Sequence, residues 1–212
     1  LALADPLKKV SGREFLTSLV IGYEIAIRAG IATHRTAKDY HTSGSWNSLG
    51  AAAVMARWMK LSPALTREAL GIAEYHGPRS QMMRCIDFPT MVKDGSGWGA
   101  MAGVSAALLA KAGFTGAPAL VWEGTDVADL WRDLGKRWRI MEMYFKPYPV
   151  CRWAQPPITA SLGLLKKHGI KGADVTQIEV STFHNAVRLA TRTPKSTEEA
   201  QYSLPFPVAA AI

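Results

Sequence analysis

Apolar residues return every three or four positions from Phe15 through Leu19, Tyr23, Ala26 and Ile27, the period of a helix with one buried face. Ser11 stands just ahead of this run and Glu14 follows it in capping-box register, while Gly30 supplies a natural stop. A polar loop rich in His, Thr, Ser and Gly then runs from Thr33 to Ser45. A second helix is predicted over Leu49–Met59, where Ala51-Ala52-Ala53 permits close packing, and Ser62-Pro63 opens a third that runs to about Tyr75. From His76 to Trp98 the pattern is irregular and chemically dense, with His76, Arg79, Arg84, Asp87, Lys93 and Asp94 set among Gly and Pro. A small-residue helix follows over Ala100–Ala112 and stops at Gly113; Gly97, Ala100, Gly103, Ala106, Ala107 and Ala110 give it a thin face suited to burial between other helices. A further helix is predicted over Val127–Leu134.

The character changes after Lys136. Pro147, Pro149, Pro156 and Pro157 mark a linker, Pro157–His168 reads as a helix, and Ile178, Val180 and Thr182 alternate with Glu179, Ser181 and Phe183 as in a strand. The chain is therefore expected to be mainly α: a helical domain over residues 1–140, followed by the start of a smaller α+β domain over residues 141–212.

With 48% apolar and 20% charged residues over 212 positions, the composition is that of a globular protein able to build a core. No run reaches the ~20 apolar residues that cross a bilayer, so no membrane partner is expected. Cys85 and Cys151 are too few for a disulfide framework and form no CxxC motif, which points to a reducing, cytoplasmic setting. Leu1–Asp5 show neither an initiator Met nor a signal pattern, and the chain ends on the apolar Pro207–Ile212. The sequence reads as an internal portion of a longer protein.

The net charge of +8 raises the question of an anionic partner. Lys and Arg are scattered singly, with local pairs at Lys8-Lys9, Lys136-Arg137 and Lys166-Lys167. A nucleic-acid reader would carry a dense basic face or interleaved exposed aromatics, and neither is present. Steering of small anions fits better.

Three segments carry candidate chemistry. His41, in Tyr40-His41-Thr42-Ser43-Gly44, offers an imidazole that titrates near neutrality in a loop leading into a helix. Gly95-Ser96-Gly97-Trp98-Gly99 has the wrong spacing for a dinucleotide fingerprint, but a Gly-rich helix start with Lys93 beside it suits a carboxylate. A plain tight turn with an exposed Lys is the simpler reading. Lys146-Pro147-Tyr148-Pro149-Val150-Cys151-Arg152 sets cations and a phenol on a backbone stiffened by prolines, either an anion site or a solvated linker. No His, Cys or carboxylate spacing suggests a metal site. The seven Trp are expected as core or interface anchors and the eight Met as core fillers.

Taken in order, several strings resemble the MmgE/PrpD family, which includes 2-methylcitrate dehydratases, cis-aconitate decarboxylases and iminodisuccinate epimerases. They are Gly22–Arg28, His41–Gly44 ahead of Leu49–Ala53, Met91–Lys93 ahead of Gly103–Ala110, Gly113–Pro118, Lys146–Arg152, and Glu199-Ala200 with Ser203–Phe206. The resemblance implies a helical domain joined to a smaller α+β domain, a homodimer, and cofactor-independent, metal-free lyase chemistry on a small di- or tricarboxylate, most like 2-methylcitrate dehydratase. It implies His41, Lys93 and Lys146 as catalytic residues, with Lys93, Lys146, Tyr148 and Arg152 binding substrate. It also implies upstream active-site motifs outside these 212 residues, so this chain alone is expected to be inactive. Decarboxylation, epimerisation and a non-catalytic binding or assembly role on the same fold are the alternatives. The sequence departs from the family pattern at Gln155, where many members carry His, and at Thr159, where an acid is common.

Overall fold

A computed structural model describes residues 10–212; the Lys8-Lys9 pair lies outside the described residues. The chain divides into two compact units, one formed by Leu1–Met82 with Asp94–Met143, the other by Met83–Lys93 with Tyr144–Ile212. Residues 83–93, counted with the helical part in the sequence, thus cluster with the second unit.

The first unit is built on four helices: α1 (Gly12–Thr36), α2 (Gly44–Trp58) and α3 (Pro63–His76), with α5 (Ser96–Lys111) following the short α4 (Met83–Asp87) of the second unit. Ser11 and Ser62 cap α1 and α3 as their sequence positions predict, each hydroxyl accepting an amide of the first turn. Glu14 does not complete a capping box. Its carboxylate instead takes two hydrogen bonds from Arg57 of α2, at 2.6 and 3.0 Å, because a guanidinium fork binds a carboxylate more strongly than one amide does. Nor does Gly30 end α1. It lies buried inside the helix, where an added Cβ would stand 3.2 Å from the Trp46 ring, so it is a slot for that indole rather than a stop.

The thin face of α5 packs in part as expected: Gly103, Ala106, Ala107 and Ala110, together with Gly99, are buried against α2 and α3, whereas Gly97 and Ala100 at its start are exposed. Gly103 lies against the Ser48 carbonyl and Ala51, where a Cβ has no room. The helix ends at Gly113, which takes a left-handed φ of 93° that only glycine adopts at little cost. After α6 (Leu120–Glu123), the helix expected over Val127–Leu134 appears instead as a 3₁₀ segment over Thr125–Leu130, and a second 3₁₀ turn covers Arg139–Glu142.

Arg28 explains how this irregular stretch is held. Its fully buried guanidinium bonds Glu24 at 3.1 Å, Asp133 at 2.5 Å, the Arg137 carbonyl at 2.6 Å and the Leu130 carbonyl. Glu24 in turn accepts the Ile140 amide at 2.7 Å. By length and composition α1 is apolar enough to cross a membrane, against the sequence expectation. A buried ion pair that ties it to the 130–142 stretch is what a core helix carries.

In the second unit α4, α7 (Gln155–His168), α8 (His184–Val187), α9 (Thr197–Gln201) and α10 (Pro205–Ala211) surround buried Ile158, Leu189, Tyr202, Leu204 and Val208. The strand expected over residues 178–183 does not form, since among the described residues no other strand offers ladder partners. This segment instead lines an open apolar groove of about 800 Å³ with Leu204 and Val208. The fold is mainly α. Not all Trp and Met are core: Trp98, Trp138, Met91, Met101 and Met141 are exposed.

Replacing Arg28 with Met strands the 2%-exposed Glu24 carboxylate without its cation. The loss should be about 3–5 kcal/mol in urea unfolding, and the double change Glu24→Met with Arg28→Met should recover part of it.

Candidate functional site

His41 lies in the first unit between α1 and α2. Its segment is zipped to residues 78–82: Thr42 N–H donates to the Ser80 carbonyl at 2.9 Å, Met82 N–H to the Tyr40 carbonyl at 2.9 Å, and His41 pairs with Gln81 in an isolated antiparallel bridge. The imidazole is 1% exposed and packs edge-on to Trp46, with ring centroids 5.6 Å apart, and against His34 at 5.4 Å. Its Nδ1 stands 2.7 Å from the Asp39 carbonyl. A carbonyl only accepts, so Nδ1 carries the proton, and in the neutral ring Nε2 holds a free lone pair. Nε2 is buried and has no hydrogen-bond partner among the described residues. The ring is thus held at Nδ1 and open at Nε2.

Asp39 adds an electrostatic component. One carboxylate oxygen lies 3.9 Å from Nδ1 and another accepts Arg79 at 2.6 Å. The Arg79 hydrogen bond, partly opposed by desolvation, holds the Asp39 carboxyl below its ordinary range.

Lys93, Lys146, Tyr148 and Arg152 all belong to the second unit. The Lys93 ammonium lies 5.4 Å from the centroid of the buried Tyr202 ring, in cation–π contact. Lys146, Tyr148 and Arg152 share one loop: the Lys146 ammonium donates to the Val150 carbonyl at 3.2 Å, and the Arg152 guanidinium stacks 5.2 Å from the Tyr144 ring centroid. The end of α9 touches both parts, since the Gln201 carbonyl accepts Cys151 N–H at 2.9 Å beside Tyr202. Burial raises the Cys151 thiol pKa, so this cysteine is a poor nucleophile.

Gln155, a departure in the sequence, has a definite task. It is 4% exposed; its amide donates to the carbonyls of Tyr148 at 2.9 Å and Val150 at 3.1 Å and accepts Tyr148 N–H at 3.2 Å. The same Val150 carbonyl serves Lys146, so Gln155 braces the loop that presents this cation. Thr159 is exposed on α7. Sequence reasoning missed the brace because nothing local marks which backbone groups a Gln will meet.

It also missed a polar cavity of about 730 Å³ in the first unit, lined by Lys38, Ser45, Glu74 and Arg79 among others. The buried Ser45 hydroxyl has no partner among the described residues, and burial raises the Glu74 pKa against hydrogen bonds from the amides of Val121 and Leu120. Among the described residues no group of three or more His, Cys, Asp and Glu is placed to hold a metal ion.

Comparison with known proteins adds an independent line. Residues 1–131 match the MmgE/PrpD N-terminal domain and residues 148–212 the MmgE/PrpD C-terminal domain. A cis-aconitate decarboxylase-like protein of Aspergillus oryzae is 32% identical over 111 residues, which is 50% of this chain and 22% of that protein's length.

Two outcomes test the geometry. Exchanging Gln155 for Met removes three backbone hydrogen bonds, which should cost roughly 2–3 kcal/mol and speed amide exchange at Tyr148. The Asp39–Arg79 pair contributes stability in full above the unfolded-state carboxyl pKa near 3.8, and this is lost as pH falls through the lower folded value. Asp39→Asn should therefore flatten part of the acid limb of stability against pH, read by urea melts between about pH 2 and 5.

Proposed function

Because this chain belongs to the MmgE/PrpD family, we propose that it forms part of a lyase acting on a small di- or tricarboxylate, with His41 as the proton-transfer group. The observation that carries this reading is the buried imidazole whose Nδ1 is held by a carbonyl while Nε2 has no partner. In dehydration, Nε2 takes a proton from a carbon beside a carboxylate, the electron pair left behind forms the carbon–carbon double bond as the carbon–oxygen bond breaks, and the imidazolium so formed hands its proton to the departing hydroxyl, which leaves as water. Lys93 and Lys146 bind substrate carboxylates and offset the negative charge that builds as the proton leaves. Tyr148 and Arg152 complete the anion-binding loop.

Decarboxylation uses the same equipment in another order. Carbon dioxide leaves first, and the electron pair remaining on carbon collects a proton from the imidazolium. The A. oryzae relative carries a decarboxylase-like name, which supports this branch as a close alternative to dehydration. A binding protein without chemistry is the second reading, and Gln155 favours it, since its amide is spent on backbone and exchanges no proton at neutral pH.

Full-length protein incubated with citrate, methylcitrate, cis-aconitate and iminodisuccinate, followed by ultraviolet absorbance and carbon dioxide release, separates the chemical branches. His41→Ala should lower kcat by about 10²- to 10⁴-fold. Lys93→Ala and Lys146→Ala should chiefly raise KM. Calorimetry that finds one of these acids bound but unaltered would establish the binding protein instead, and unchanged turnover in His41→Ala would remove the imidazole from the mechanism.

A further inference from the structure

The start of α2 is held by a residue from far along the chain. Ser43, at the N-cap position, has helical backbone angles (φ −70°, ψ −14°) and makes no side-chain cap of its own. Asp94 takes over that task. One of its carboxylate oxygens accepts Ser43 N–H at 2.8 Å, the other accepts the Ser43 hydroxyl at 2.7 Å, and its backbone carbonyl accepts Gly44 N–H at 3.1 Å. A negative charge therefore sits at the positive end of a 15-residue helix and satisfies amides that the helix cannot satisfy internally. Behind it the Ser96 hydroxyl lies 3.2 Å from that of Ser43 and accepts Asn47 at 2.9 Å.

His41 lies two residues before this clamp. On its other side the Tyr40 carbonyl accepts Met82 N–H at 2.9 Å, and Thr42, between the imidazole and the clamp, is tied to residues 78–80 through its amide to Ser80 and its hydroxyl to the Pro78 carbonyl at 3.2 Å. The segment bearing the imidazole is thus fastened on both flanks, and on the helix side Asp94 supplies three of the hydrogen bonds that Ser43 and Gly44 receive, with the Ser96 hydroxyl beside them. We propose that Asp94 is a positioning residue for His41: its carboxylate fixes the start of α2 and through it the direction of Nε2. The inference rests on the proton-transfer role given to His41, but the clamp can be judged without it.

The chemistry separates positioning from direct participation. Asn at this position keeps an oxygen for Ser43 N–H, and its amide can donate to the Ser43 hydroxyl oxygen, so it preserves the clamp without a titrating group. Ala removes both bonds. In amide hydrogen exchange on the full-length protein, Asp94→Ala should speed Ser43, whose amide the carboxylate accepts, by at least about tenfold, whereas Asp94→Asn should leave it within about threefold. In turnover, Asp94→Ala should lose kcat by roughly 10- to 100-fold with KM little changed, and Asp94→Asn should keep most of kcat with an unaltered pH profile. Unchanged exchange at Ser43 in Asp94→Ala overturns the clamp. Equal loss of kcat in Asn and Ala, with Asn retaining the protection, overturns the positioning role in favour of proton transfer by Asp94. Should Asp94→Ala fail to fold, Ser43→Ala, which deletes one of the two side-chain contacts, gives the same reading through exchange of the amide at position 43. Absence of turnover in the wild-type protein would defeat the lyase reading alone, since the exchange result still decides the clamp.

Discussion

The backbones of α2 and α5 touch, and the first unit is organised around that contact. Gly44, Gly99 and Gly103 leave no room for a Cβ where the two helices cross, so the helices approach until carbonyls and α-carbons meet. Close approach maximises dispersion contacts along the small-residue face and brings the two helix starts to one place. There the second helix can lend the first a carboxylate. Interhelical distance, the cap of α2 and the placing of the His41 loop are therefore consequences of a single choice of side-chain size.

A second constraint works at longer range. Residues 125–143 form little regular helix, yet Arg28 and Glu24 of α1 collect two carbonyls, an amide and the Asp133 carboxylate from this stretch. A buried guanidinium offers five donors in a rigid fork, and here two of its bonds go to backbone carbonyls and two to carboxylates. This organises a segment that its own propensities would leave disordered.

How much of this was legible follows from the range of each interaction. The caps at Ser11 and Ser62, the thin face of α5 from Gly103 onward and the helix reaching His168 are local patterns, and they appear where the residues put them. Gly30 misled, because a glycine that ends a helix and one that receives a tryptophan from a neighbour look alike in one dimension. The start of α2 was placed late because its cap comes from Asp94, 51 residues away. The strand-like alternation near Ile178 is a demand for partners that no described residue meets. At the site, residue types pointed to His41 and to the Lys146 loop, whereas the tautomer of the ring and the brace by Gln155 depend on where distant carbonyls fall.

Trp46 occupies the slot at Gly30 with the rings of His34 and His41 at 4.9 and 5.6 Å. Any proton that arrives on either imidazole places a cation against this indole. The fluorophore is thereby wired to the ionisation state of its neighbours, and the difference in emission between the native protein and one with Phe at position 46 becomes an optical record of charge at that spot, readable without any substrate.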